Sequence, residues 1–160
     1  MSAEGGGQAT DGAGLRVDFY ILDSDAPNGR LQLACKLAEK AYLADHSVLI
    51  WHTDAQELRS LDELLWVFRD GSFVPHELAG APRPGATANE SPVTLSAGLA
   101  PPGPVDVLIN LAPEVPPCLA QSKRVIEIID SDETRRKAGR MRFKAYRDSG
   151  VQPASHNVQL

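Results

Sequence analysis

The chain has 160 residues, 42% hydrophobic and 23% charged, the composition of one globular domain rather than of a disordered chain. Sixteen Lys and Arg stand against twenty-one Asp and Glu, a formal net charge of −5. That balance argues against general duplex-DNA binding, which leaves a basic footprint over a whole domain.

Residues 1–15 are largely Gly, Ala and polar residues, with no basic segment leading into an apolar one. They are read as a disordered N-terminal tail. No stretch reaches eighteen apolar residues, so the expectation is a cytoplasmic protein without a membrane contact. Cys35 and Cys118 are far apart, and neither has a second Cys or a His at metal-ligand spacing. Both are expected as free thiols in a reducing compartment.

Residues 16–22 form a β-branched and aromatic run that ends in the turn-forming Asp23-Ser24-Asp25-Ala26-Pro27-Asn28-Gly29, which predicts a strand and its loop. Over residues 30–44, Leu31, Leu33, Ala34, Leu37, Ala38, Ala41 and Tyr42 recur at helical spacing. Residues 47–52 are nearly all apolar, as expected of a strand buried on both faces of a parallel sheet. Thr53 and Asp54 then offer a cap to a second helix over residues 55–66.

Phe68 and Phe73 follow close to Trp66. Six of the twelve prolines and four glycines lie within residues 80–104, which predicts an exposed connection with at most a short strand at 93–95. Residues 105–111 and 124–129 read as two more core strands, joined by a short helical crossover that prolines interrupt. Ser131 and Asp132 are expected to cap the last helix. Residues 151–160 are read as a C-terminal tail. The alternation predicts one α/β domain over residues 16–150, a mostly parallel, Rossmann-like sheet with helices on both faces.

The last helix concentrates the cations. Seven of the sixteen Lys and Arg lie within residues 135–147 with no carboxylate among them, so the rest of the chain carries about −12. At 3.6 residues per turn Arg136, Arg140, Lys144 and Arg147 share one face, with Phe143 and Tyr146 beside it. Uniform sign costs a few tenths of a kcal/mol for each like pair one turn apart, which an external anion would offset. The helix therefore reads as a docking surface for an anion with an apolar component.

Catalytic signals are few. In open α/β sheets ligands bind beyond the carboxyl ends of the strands, which singles out Asp23, Asp25, His52, Asp54 and Asn110. Asp23 and Asp25 could hold Mg²⁺ in a phosphotransferase, but the residues that follow them do not continue that pattern, and turn formation explains both. No Walker A loop, Gly-x-Gly-x-x-Gly or Gly-x-Ser-x-Gly motif is present. His52 reads as a half-buried structural histidine. No metal or cofactor is expected.

Two stretches taken together are more specific: Leu61-Asp62-Glu63-Leu64-Leu65-Trp66 followed by Ser72-Phe73-Val74-Pro75-His76-Glu77-Leu78-Ala79-Gly80, and then Arg140-Met141-Arg142-Phe143-Lys144-Ala145-Tyr146-Arg147. With residues 17–22 and 106–111, they resemble the chi subunit of bacterial DNA polymerase III over residues 16–150. The resemblance implies a non-catalytic replication adaptor that pairs with the psi subunit of the clamp loader. It also implies a grip on the acidic C-terminal tail of the single-stranded DNA-binding protein, so that DNA is contacted indirectly. On that resemblance Arg140, Phe143, Lys144 and Arg147 hold the tail, with Ile129 adding apolar wall and Arg135, Arg136 and Lys137 steering it. Trp66, Phe73, Val74 and Pro75 form the psi-binding patch, helped by Phe68. The rival reading is single-stranded nucleic-acid binding by the last helix, with bases stacked on Phe143 or Tyr146.

Overall fold

The structure, a computed structural model, describes residues 14–24, 26–79, 92–99 and 103–159. Its elements in order are β1 (Arg16–Leu22), α1 (Gly29–Leu43), β2 (Val48–His52), α2 (Ala55–Val67), β3 (His76–Leu78), β4 (Val93–Ala97), β5 (Val105–Asn110), β6 (Ser122–Ile129), α3 (Glu133–Asp148) and β7 (Ala154–Val158). A short 3-10 turn at Leu119–Gln121 precedes β6.

The strands form one seven-stranded sheet in the order β3-β4-β2-β5-β6-β1-β7, and every neighbouring pair is parallel. Alternate side chains of a strand point to opposite faces. Val48 and Ile50 of β2 accordingly join Leu31, Leu33, Leu58, Leu61 and Leu65 in one core, under α1 and α2. Leu49 and Trp51 join Phe19, Val125 and Tyr146 in a second core, under α3. The expected α/β class, with helices on both faces, is what the chain adopts.

Asp54 caps α2 by accepting from the backbone N–H groups of Gln56 and Glu57 at 3.0 and 3.2 Å. Asp132 caps α3 by accepting from that of Arg135 at 2.9 Å. Caps of this kind contribute about 1 kcal/mol each. Ser131, expected to share the second cap, instead donates its hydroxyl to the Ser24 carbonyl at 3.1 Å. Gly150 follows α3 with φ +99°, a left-handed conformation that ends helices at little cost only for glycine.

Three expectations change. The crossover after β5 contains only the 3-10 turn, because Pro113, Pro116 and Pro117 remove the donors a helix needs. β3 was not anticipated. Residues 151–160, read as a tail, carry β7, which pairs with β1 from Asp18↔Ala154 to Leu22↔Val158. His156 secures it with Nε2 2.9 Å from Oδ1 of the fully buried Asp18. The ordered unit therefore runs past residue 150. Of the connection at 80–104, residues 92–99 and 103–104 are described and include β4; the remainder, like Asp25, lies outside the described residues.

Candidate docking sites

Glu127 sits mid-strand in β6 with no exposed surface, and it organises α3. Its Oε1 accepts from Arg142 Nε at 2.8 Å, and its Oε2 from the Tyr146 hydroxyl at 2.7 Å. Asn110 Nδ2 lies 3.2 and 3.0 Å from the two oxygens. Burial pushes the Glu127 carboxyl up, against the pull of these three donors. Burial and the adjacent Glu127 charge push the Tyr146 hydroxyl up as well. Arg142 also donates to the Pro113 carbonyl at 3.0 Å. A buried carboxylate with such partners fixes the rotation of α3 on the sheet.

That rotation sorts the seven cations. Arg142 is consumed internally, and Arg135 forms a two-pronged pair with Asp130 at 2.9 and 2.7 Å. Arg136, Lys137, Arg140, Lys144 and Arg147 are exposed. Lys144 reaches Asp148 at 2.8 Å, an unlike-charge pair just beyond the run; both groups are largely exposed, so it contributes little. Among the described residues Arg136, Lys137, Arg140 and Arg147 have no ion-pair partner.

Beside this stripe Phe143 is half-buried, its ring centroid 5.1 Å from that of Phe19. Ile129 packs beneath Gly139 and is 9% exposed, so it contributes only an edge of apolar wall. Tyr146 is 1% exposed and bonded to Glu127, which removes it as a surface for stacked bases.

The second face lies across the sheet. Trp66 and Phe73 are 48% and 64% exposed, with ring centroids 5.5 Å apart. Beneath them His76, 4.2 Å from the indole, places Nδ1 2.6 Å from the Val74 carbonyl and Nε2 3.0 Å from that of Asp62. Pro75, between Val74 and His76, is half-buried. Val74, expected on the patch, has no exposed surface; it faces the core shared with α1 and α2 and is unavailable to a partner. Phe68 packs partly against the same core. Val67, 72% exposed, was missed because an aliphatic residue at a helix end carries no motif.

The carboxyl edge of the sheet is occupied by its own bonds. His52 Nδ1 accepts from the backbone N–H groups of Thr53 and Asp54, which puts the proton on Nε2, 2.6 Å from Glu57. Glu57 also accepts from Arg30 at 2.7 Å, and Asp54 is spent on capping α2. Asn110 bridges Ala112, Glu114 and Glu127. Asp23 lines a cleft of about 600 Å³ together with Asp130, Ser131 and Arg136. Among the described residues no group of three or more His, Cys, Asp or Glu is placed to hold a metal ion. Nor is any helix long and apolar enough to cross a membrane. Cys35 and Cys118 are free and buried, and burial pushes the Cys35 thiol up to about 12.

The parallel sheet, helices on both faces and polar groups engaged with one another define a Rossmann-like α/β domain. The model of the family "DNA polymerase III chi subunit, HolC" matches residues 15–154, and the chain belongs to that family, whose members are accessory subunits in DNA replication rather than enzymes by themselves. It is 38% identical over 143 residues to DNA polymerase III subunit chi of Pseudomonas aeruginosa, covering 89% of this chain and 96% of that protein. The Escherichia coli subunit chi is 33% identical over 138 residues, covering 82% and 90% respectively. Among solved structures T4 UvsW superposes with a TM-score of 0.64 at 11% identity, over 92% of this chain and 42% of that one. That likeness concerns the fold alone.

Proposed function

We propose that the chain is a non-catalytic adaptor of the DNA polymerase III holoenzyme, joining the clamp loader through psi to the acidic C-terminal tail of the single-stranded DNA-binding protein. The observation that carries this reading is the stripe of Arg140, Lys144 and Arg147 beside Phe143 and the edge of Ile129. These exposed cations border a ring, the chemistry that an acidic peptide ending in a hydrophobic residue and a free carboxylate requires. Further support comes from Trp66 and Phe73, since exposed paired aromatics are the usual anchors of protein interfaces, and the half-buried Pro75 lies two residues after Phe73. The two faces lie on opposite sides of the sheet, so both partners fit at once.

The test is binding of a fluorescent acidic peptide ending in Phe to wild type, Arg140→Ala and Lys144→Ala, with single-stranded oligonucleotide alongside at the same salt. Peptide binding that falls by about 1.5–3 kcal/mol in Arg140→Ala, with no oligonucleotide binding, is the expected result. Oligonucleotide binding without peptide binding would establish the nucleic-acid reading instead. Burial of Tyr146 disfavours that reading, because it leaves one half-buried ring for stacking.

A further inference from the structure

Val67, next to Trp66 at the C-terminal end of α2, is 72% exposed and is also one lip of an open groove between α1 and α2. The groove measures about 300 Å³ and is lined by Asn28, Leu31, Ser60, Glu63, Leu64 and Val67. Leu31 and Leu64 make it aliphatic, while Asn28, Ser60 and Glu63 supply polar groups. Ser60, Leu64 and Val67 follow the i, i+4, i+7 spacing of a single helix ridge, the surface against which another helix packs.

The charge around this surface is negative. Asp62, Glu63 and Asp70 all lie within four residues of Trp66 or Val67. Of the nearby cations, Arg69 is paired with Glu39 at 2.6 Å, and Arg59, one turn before Glu63 on α2, offsets one of these three carboxylates. The acidic surround is the opposite of the stripe on α3.

We propose that the partner segment docking on Trp66 and Phe73 is a basic amphipathic helix crossing the outer face of α2. It seats an aliphatic side chain between Leu31 and Leu64 and sets a Lys or Arg against Glu63. The inference rests on the reading of Trp66 and Phe73 as the psi-binding patch, and it assigns that partner a chemistry and a path. Complementary sign then sorts the partners: an acidic tail is repelled from α2 and attracted to α3.

The experiment is calorimetric titration of the full chain with purified psi subunit, using wild type, Trp66→Ala, Ser60→Tyr, Asn28→Trp and Glu63→Lys. Ser60→Tyr and Asn28→Trp plug the groove from opposite walls at exposed positions. Trp66→Ala is expected to weaken binding about 100-fold and each groove variant about 10-fold. Glu63→Lys should also flatten the salt dependence. Wild-type affinity in both plugged variants and in Glu63→Lys, with Trp66→Ala still deleterious, overturns the groove inference while leaving the docking patch intact. Wild-type affinity in Trp66→Ala removes the patch itself. Unchanged thermal melting and unchanged acidic-peptide affinity of the plugged variants tie any loss to the groove.

Discussion

Gly139 rests directly on Ile129: a Cβ added to this glycine would stand 2.8 Å from Ile129 Cγ1 and closer still to Cδ1. α3 can approach β6 at this height only because the side chain is missing.

Gly139→Ala gains about 1 kcal/mol of helix propensity but forces the 91%-buried Ile129 to move, and overpacking of this kind costs about 1–3 kcal/mol. The expected outcome is a lower urea midpoint together with weaker acidic-peptide binding, because Phe143 and Arg140 ride on the same helix. In an Ile129→Ala background the added methyl group should cost much less. A cost that simply adds would show that the close approach is unimportant.

Arg142→Met leaves Glu127 buried without its cation, and the loss should be about 3–5 kcal/mol at neutral pH. Glu127→Gln in the same chain should recover part of it. Urea denaturation of the wild type and the two variants measures both, and an Arg142→Met protein as stable as wild type would mean that the pair does not anchor α3.

Burial would raise the Asp18 carboxyl, but donation from His156 and Arg124 and the charges of Arg124 and Arg16 outweigh it and hold the group below the usual carboxylate range. Its stabilisation is therefore present above the unfolded-chain value, near pH 4, and is lost as pH falls through the lower folded value. With the pH dependence of intrinsic exchange divided out, amide protection over Ala154–Val158 is expected to fall selectively in acid, and in Asp18→Asn to be low already at neutral pH. An equal loss of protection across β1, β6 and β7 would contradict a local latch.

His76→Leu removes the contacts to Val74 and Asp62 that hold the imidazole against Trp66. A cost of about 1–3 kcal/mol is expected from the polar groups left unpaired. Indole emission should shift to the red as Trp66 gains solvent, measured with Trp51 replaced by Phe so that one indole reports. An unshifted spectrum would show that Trp66 keeps its place without the histidine.

Strands β1, β2, β5 and β6 were legible in the sequence because each lies inside the sheet and needs apolar or β-branched side chains. β7 was not legible, since an edge strand carrying Ser155, His156 and Asn157 satisfies its backbone on one side and shows no apolar run. The exposed cations of α3 could be read directly. The commitment of Arg142 and Tyr146 to the interior could not, because it depends on how the helix is rotated over β6. The signal for it was a lone carboxylate, Glu127, within Val125-Ile126-Glu127-Ile128-Ile129. Val74 was misplaced for a related reason: in a run of exposed and half-buried residues, only the fold tells which side chain turns inward.

With α2 and α3 on opposite faces of one sheet, tension between molecules tethered to them would pass through the thickness of the domain. Such a pull tends to lift the helices off the strands rather than slide one parallel strand along its neighbour. On the α3 side it meets the Glu127–Arg142 pair head on, so this contact between α3 and the sheet would act as a mechanical rivet when the machinery on either side moves.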